Sequence, residues 1–96
     1  MARNGRTMLR INVQVGAVVD GQSEFLDGVE VVLTHSQGIA TGVTTAQFGT
    51  AKLLVPEAGA GPATIVLSKD GYITETQGET LTEKPHQGFQ YALTAV

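Results

Sequence analysis

Residues 9–19 have the sequence LRINVQVGAVV, and their alternation is the strongest structural signal in the chain. Apolar side chains occupy every second position, and most of the positions between them hold a polar residue or glycine. A period of two residues sustained over such a length is typical of a β-strand with one buried face. This segment therefore predicts a long strand that contributes to a hydrophobic core.

Shorter segments of the same kind follow, separated by turn-forming residues. We expect the turns at 20–23 and 36–38 to be short enough for antiparallel hairpins, and we expect a polar loop over 84–88. No segment has the 3.6-residue apolar period of a helix. About seven strands with this spacing predict an all-β fold, a single antiparallel Ig-like β-sandwich. The predicted strands after the first are 29–34, 39–43, 50–55, 63–69, 72–76 with a continuation over 79–82 after a break at Gly78, and 89–95.

The composition is that of one small domain. The 96 residues are 42% hydrophobic and 16% charged and contain no Cys. A chain of this size has a thin core, and here no disulfide can reinforce it. We expect a basic N-terminal arm over residues 1–8 and one β-sandwich domain over 9–96.

Charge is distributed unevenly. Arg3, Arg6 and Arg10 are the only arginines, and the first ten residues contain no acid, whereas residues 11–96 hold three Lys against nine Asp and Glu. A basic segment of this kind suits an acidic neighbouring surface or a second copy of the chain; a solvated, frayed terminus is the alternative. Without interleaved aromatic residues it does not indicate nucleic-acid binding. No apolar run suits a membrane span or a secretory signal, so we expect a virion or cytoplasmic location.

One set of motifs resembles a known family. The segment LDGVEVVL at 26–33, the pair Thr45 and Gly49, and Gly71-Tyr72 are similar to motifs of carboxypeptidase regulatory-like and related transthyretin-like sandwich domains. The resemblance spans nearly the whole chain, and its motifs are structural. It implies a transthyretin-like sandwich in which Gly28, Gly49 and Gly71 occupy turns with positive φ. It also implies that the Tyr72 ring packs on the core edge while its hydroxyl reaches a backbone group.

Two aromatic residues stand in segments that are expected to be turns or loops. Phe48, with Ala46, departs from the polar residues that the family has here. Its ring either folds back to cap the open end of the sandwich, which we favour, or stays exposed as an anchor for a partner. Phe25 poses the same choice: because Leu26 is expected to turn inward, Phe25 is expected to turn outward.

The residues for catalysis or metal binding are scarce. His35 and His86 are the only side chains suited to act as bases at neutral pH, and both are predicted to be solvated at turns. Hydrolases of the transthyretin family carry His and Arg on inner strands and a Tyr-Arg-Gly-Ser ending. This chain has no Arg after Arg10 and its last residues are Leu93-Thr94-Ala95-Val96, so the resemblance does not imply that activity. Asp residues beside turn glycines do not have the spacing of a metal site. We therefore expect no enzymatic activity, no cofactor and no metal.

These observations favour a structural or interaction subunit of a larger assembly. The specific hypothesis is a phage capsid decoration protein, a virion accessory subunit that docks on a multimeric shell such as the major capsid protein. Self-association is a further expectation, whereas nucleic acid and membrane are not expected partners. The alternative function is a surface- or carbohydrate-recognition module. The expected partner-binding residues are Arg3, Arg6, Arg10, Phe25 and Phe48.

Overall fold

The structure, a computed structural model, describes residues 8–96, which form eight β-strands arranged in two sheets. A single turn of 3₁₀ helix, Glu57–Gly59, lies between the fifth and sixth strands. The predicted all-β sandwich is confirmed. The strands are β1 (Met8–Val19), β2 (Gln22–Phe25), β3 (Glu30–His35), β4 (Gly38–Val43), β5 (Thr50–Pro56), β6 (Gly61–Ser68), β7 (Glu75–Leu81) and β8 (His86–Leu93).

The first sheet is organised around β1. Its first half, Met8–Gln14, pairs antiparallel with β5, and its last residues, Gly16–Val19, pair antiparallel with β2. Strand β8 pairs with residues 10–17 of β1 in the parallel direction. Because β8 overlaps both of the other pairings, β5 and β2 share one edge of β1 and β8 occupies the other.

The second sheet has the order β4-β3-β6-β7, and all its pairs are antiparallel. A two-residue turn, Ser36-Gln37, joins β3 to β4, as the sequence predicts. Strand β6 lies between two partners, which agrees with its continuous apolar sequence. Strands β4 and β7 form the two edges of this sheet.

The core lies between the two sheets and is built by the alternation of the strands. Every second residue of β1 from Leu9 to Ala17 is buried, and β5 shows the same alternation. Burying a side chain of this type contributes about 1.5–3 kcal/mol, so these alternating faces supply most of the stabilisation. The largest buried side chains are Leu9, Ile11, Val13, Val15, Val29, Val31, Leu33, Leu53, Val55, Ile65, Leu67 and Leu81.

Three predictions near the first turn and the chain end are corrected. The Asp20-Gly21 turn does form a hairpin, but it joins β1 to the unpredicted strand β2 and not to the strand that follows residue 28. The loop predicted over 84–88 is shorter, because β8 already begins at His86. The pairing of β8 with β1 is parallel, so the sandwich is mostly and not entirely antiparallel.

The predicted strand at 72–76 is also corrected. Tyr72 forms only an isolated bridge with Ala95, and the regular strand β7 begins at Glu75. Strand β7 then continues through Gly78, where the sequence predicts a break. Gly78 is exposed and a Cβ there would meet nothing within 4 Å, so this glycine is not required by a bend or a close contact.

Candidate interaction surface

Phe25 and Phe48 meet on the surface of the domain. Their ring centroids are 5.8 Å apart and the ring planes are inclined by 87°, the edge-to-face arrangement that aromatic pairs favour. Phe25 is 56% exposed and Phe48 is 61% exposed. The capping role favoured for Phe48 is therefore wrong, while the outward orientation expected of Phe25 is confirmed. The sequence did not predict that the two rings touch.

The register of β2 places Phe25 on the outer face of the first sheet. Phe25 lies opposite Gly16 of β1, and Gly16 belongs to the face of β1 that points away from the core. A Cβ at Gly16 would lie 2.9 Å from the Glu24 carbonyl oxygen, so the close approach of β2 requires glycine here. The glycine also leaves the area beside the Phe25 ring without a covering side chain.

The β4–β5 turn holds Phe48 in an unusual backbone conformation. Phe48 has φ of 61° and Gly49 has φ of 55°, two consecutive residues in the left-handed region. A Cβ at Gly49 would lie 2.5 Å from the Val15 carbonyl oxygen and 2.9 Å from that of Leu26. Gly49 therefore packs directly on the backbone beside it, and its conformation brings Phe48 next to Phe25. For Phe48, which is not glycine, this φ costs roughly 1–2 kcal/mol.

Hydrogen bonds fix this turn to the sheet. The backbone N–H of Val15 donates to the Gly49 carbonyl oxygen at 2.8 Å. The Phe48 carbonyl oxygen accepts from the Gln14 side-chain amide and from the Thr50 hydroxyl, each at 3.1 Å. The position of Phe48 is therefore set by its backbone, and its ring is left free to contact other molecules.

Buried Thr44 ties the end of β4 to the segment that follows β2. Its hydroxyl donates to the Leu26 carbonyl oxygen at 2.7 Å and accepts from the Val29 N–H at 3.0 Å. The Gly28 N–H also donates to the Thr44 carbonyl oxygen at 2.8 Å. These bonds keep the segments that carry Phe25 and Phe48 side by side. The role of Thr44 is not predictable from the local sequence, because nothing in the pattern distinguishes it from its exposed neighbour Thr45.

A shallow groove of about 300 Å³ lies beside Phe25. Gly16 and Ala92 are among its lining residues, and exposed Val18 extends its apolar surface. The side-chain amide of Gln90 donates to that of Gln14 at 2.8 Å on the same face. We define the aromatic patch as Gly16, Val18, Phe25, Phe48 and Ala92.

Arg10 belongs to the sheet and not to the arm. It lies within β1, its side chain is exposed, and its backbone N–H donates to the Pro85 carbonyl oxygen at 2.7 Å. Together with Lys52 and His86 it lines a depression of about 490 Å³ on the outer face of the first sheet. Arg3 and Arg6 lie outside the described residues.

The two histidines have different environments. His35 is 9% exposed and its Nδ1 accepts from the Gln37 N–H at 3.2 Å, so the prediction that it is solvated is wrong. His86 is exposed at the start of β8. Within residues 8–96, no group of three or more His, Cys, Asp or Glu side chains is positioned to hold a metal ion. Over the same residues, no helix is long and apolar enough to cross a membrane.

Tyr91 of β8 joins the two sheets at the edge opposite β4. Its hydroxyl donates to Oε2 of Glu79 in β7 at 2.6 Å. Burial raises the pKa of the Tyr91 hydroxyl well above its usual value, and the hydrogen bond to Glu79 and the charge of that carboxylate raise it further. The interaction therefore has a structural role, because it keeps Tyr91 protonated and bound to the neighbouring sheet.

No protein-family model matches the sequence, and no curated protein matches it significantly. The resemblance to carboxypeptidase regulatory-like domains therefore stays a prediction. The glycine conformations that it implies are present, since φ is 72° at Gly28, 55° at Gly49 and 87° at Gly71. Tyr72 packs against the core as implied, but its hydroxyl has no hydrogen-bond partner among residues 8–96.

Proposed function

We propose that this chain is a non-enzymatic interaction subunit that docks on a larger protein assembly through the aromatic patch. The observation that carries the proposal is the exposed, edge-to-face pair of Phe25 and Phe48. Aromatic side chains are enriched at the centres of protein interfaces, where their burial supplies much of the binding free energy. A partner that covers both rings would remove from water the largest exposed side chains of this face.

The backbone of Phe48 supports the same proposal. A glycine at this position would have no strain, yet the chain has a large apolar residue whose ring is 61% exposed. Strained non-glycine residues occur preferentially at functional sites, where the cost to stability is offset by a benefit in binding. The contact with Phe25 also restricts both rings, which reduces the entropy that a partner must remove on binding.

The particular assembly that we propose is a virion, with this chain as a phage capsid decoration protein. The proposal is supported by the small size of the sandwich, 96 residues without a disulfide. Such a domain gains stability from any partner that binds its native state. Arg3 and Arg6 of the N-terminal segment would add charge-dependent contacts to the shell.

Particle association tests this function. The tagged full chain is expected to co-sediment with a megadalton particle from the cells that produce it, in a fixed ratio to the major shell protein. A chain that begins at Met8 retains all of β1. At low salt it is expected to bind the particle more weakly than the full chain does. A full chain that sediments only as a free small protein, in cells that do contain particles, would contradict the function.

Recognition of a carbohydrate is the second candidate. The observation that favours it is the presence of the Gln14 and Gln90 side-chain amides on the same face as the Phe25 ring, since sugars bind to aromatic faces and amide groups together. A glycan array is the appropriate measurement. Saturable binding that is lost in Phe48→Ala would establish this candidate, and its absence at high protein concentration would exclude it for the glycans on the array.

A further inference from the structure

The outer face of the first sheet is free of acidic residues. Pairing register assigns sixteen positions to this face, and none of them is Asp or Glu. The nine acidic residues of the chain lie instead in turns, on the second sheet, or on the other side of β2. The outward positions are 8, 10, 12, 14, 16 and 18 of β1, 50, 52, 54 and 56 of β5, 86, 88, 90 and 92 of β8, and 23 and 25 of β2.

The same face has a basic end and an apolar end. Arg10 pairs with Leu54 of β5 on one side and with His86 of β8 on the other. Lys52 is the next outward residue of β5 after Leu54, and Arg10, Lys52 and His86 line the same depression. We define the basic end as Arg10, Lys52 and His86. Arg10 and Gly16 of the aromatic patch lie six positions apart in β1, which corresponds to about 20 Å along an extended strand.

A third depression connects the two ends. It has a volume of about 470 Å³, and its lining includes both Phe48 and Lys52. No side-chain hydrogen bond or ion pair engages Arg10 or Lys52 within residues 8–96, so both cations are available to a partner. The face therefore combines unpaired positive charge with an aromatic anchor, whereas residues 11–96 as a whole carry an excess of acid.

We propose that the outer face of the first sheet binds an acidic protein surface, whose carboxylates pair with Arg10, Lys52 and His86 while an apolar side chain covers Phe25 and Phe48. This inference rests on the proposed docking function and adds the charge of the partner. Complementary charge at an interface steers association and excludes partners of the wrong sign. Nucleic acid is disfavoured, because two fixed cations neutralise too few phosphates for appreciable affinity and half of the face is apolar.

The test uses the full chain and two defined probes, a hexaglutamate peptide and a single-stranded oligonucleotide of equal charge. Chemical-shift mapping at low salt is expected to place the peptide at the amides of residues 10, 52 and 86. Lys52→Glu is expected to weaken peptide binding at least threefold. Lys84→Glu makes the same charge change in the exposed segment before β8 and is expected to alter binding less than twofold.

Four results of the experiments on the isolated protein would overturn the inference. The first is a set of chemical-shift changes centred on Lys69 or Lys84, and the second is an equal loss of peptide affinity in Lys52→Glu and Lys84→Glu. The third is tighter binding of the oligonucleotide than of the peptide. The fourth is a dimer of the chain that Lys52→Glu abolishes. Particle association of the same variants separates this inference from the docking function. If Lys52→Glu binds particles like the wild type while Phe48→Gly does not, the acidic partner is wrong and the docking site stands. If Phe48→Gly also binds normally, the docking site itself is wrong.

Discussion

The left-handed conformation of Phe48 leads to an unusual order of stabilities for substitutions at this position. At an ordinary extended position, glycine is about 0.5–1 kcal/mol less stable than alanine, because it loses more backbone freedom on folding. At φ of 61° alanine retains the steric cost of roughly 1–2 kcal/mol, and glycine does not. The difference predicts that Phe48→Gly is more stable than Phe48→Ala by about 0.5–1 kcal/mol.

The wild type is expected to lie close to the glycine variant. Both substitutions remove the edge-to-face contact with Phe25, which is worth about 0.5 kcal/mol at this exposure. Phe48→Gly relieves the backbone strain, and this gain offsets the lost contact. Phe48→Ala keeps the strain, so the lost contact is not offset. For a domain of this size the alanine variant should melt about 2–8 °C below the glycine variant.

Urea and thermal unfolding of the full-length variants, followed by circular dichroism, would measure this order. Gln90 provides a matched control, since it is exposed on the same face within β8 and its backbone is extended. There the usual order is expected, with Gln90→Gly less stable than Gln90→Ala. If glycine were also the less stable replacement at position 48, the strained conformation, and the argument for function drawn from it, would be refuted.

Three further substitutions, two of them with a matched control, test the interactions that position Phe25 and Phe48 and the contact between β8 and β7. Thr44→Val leaves the Val29 N–H and the Leu26 carbonyl unpaired, so a loss of about 1–3 kcal/mol is expected in urea unfolding; Thr45→Val, at an exposed site, should cost under about 0.5 kcal/mol. Gly49→Ala meets backbone atoms and should cost at least about 2 kcal/mol, more than Gly71→Ala, where φ is also positive but the space is open. The third substitution concerns Tyr91, whose pKa is raised by folding. The contribution of its protonated hydroxyl to the free energy of unfolding is fully present below the unfolded pKa near 10.0 and is lost as the pH rises above that value. Tyr91→Phe should therefore show a smaller fall in melting temperature above pH 10, and an unchanged fall would contradict this.

Much of the fold follows from local sequence pattern. The alternation in β1, β3 and β5 is set by which face of each strand is buried, so the strands and their inward residues are predictable from the sequence alone. Turn glycines are similarly local, because a positive φ strongly favours glycine. Among residues 8–96, Asp20 and Phe48 are the non-glycine residues with positive φ. Asp tolerates this conformation, whereas the bulky Phe48 is a true outlier, and it occurs at the proposed docking site.

The elements that the sequence failed to predict depend on pairing between distant segments. Strand β2 has four exposed residues and no alternation of burial, so only its hydrogen bonds to β1 make it a strand. The parallel direction of β8 is likewise a property of the whole topology and leaves no local pattern. The contact between Phe25 and Phe48 depends on both the β2 register and the packing of Gly49, and a single sequence contains neither.

The burial of two polar residues was also not predictable from the local sequence. Thr44 and His35 have the same local character as exposed turn residues, but tertiary contacts enclose them. Thr44 is enclosed between Leu26 and Val29, and His35 packs beside Gly59 of the 3₁₀ turn. These contacts join segments far apart in the chain, so a reading of neighbouring residues cannot distinguish them.

The central claim is that the exposed rings of Phe25 and Phe48 are the docking point of this domain. The most direct measurement is quantitative co-sedimentation of wild type and Phe48→Gly with purified particles, after equal stability of the two proteins has been confirmed. We expect saturable, stoichiometric binding of the wild type and at least a tenfold weaker association of the variant. Equal binding of the two proteins would contradict the claim, because a folded domain without the aromatic pair would then dock as well as the domain that has it.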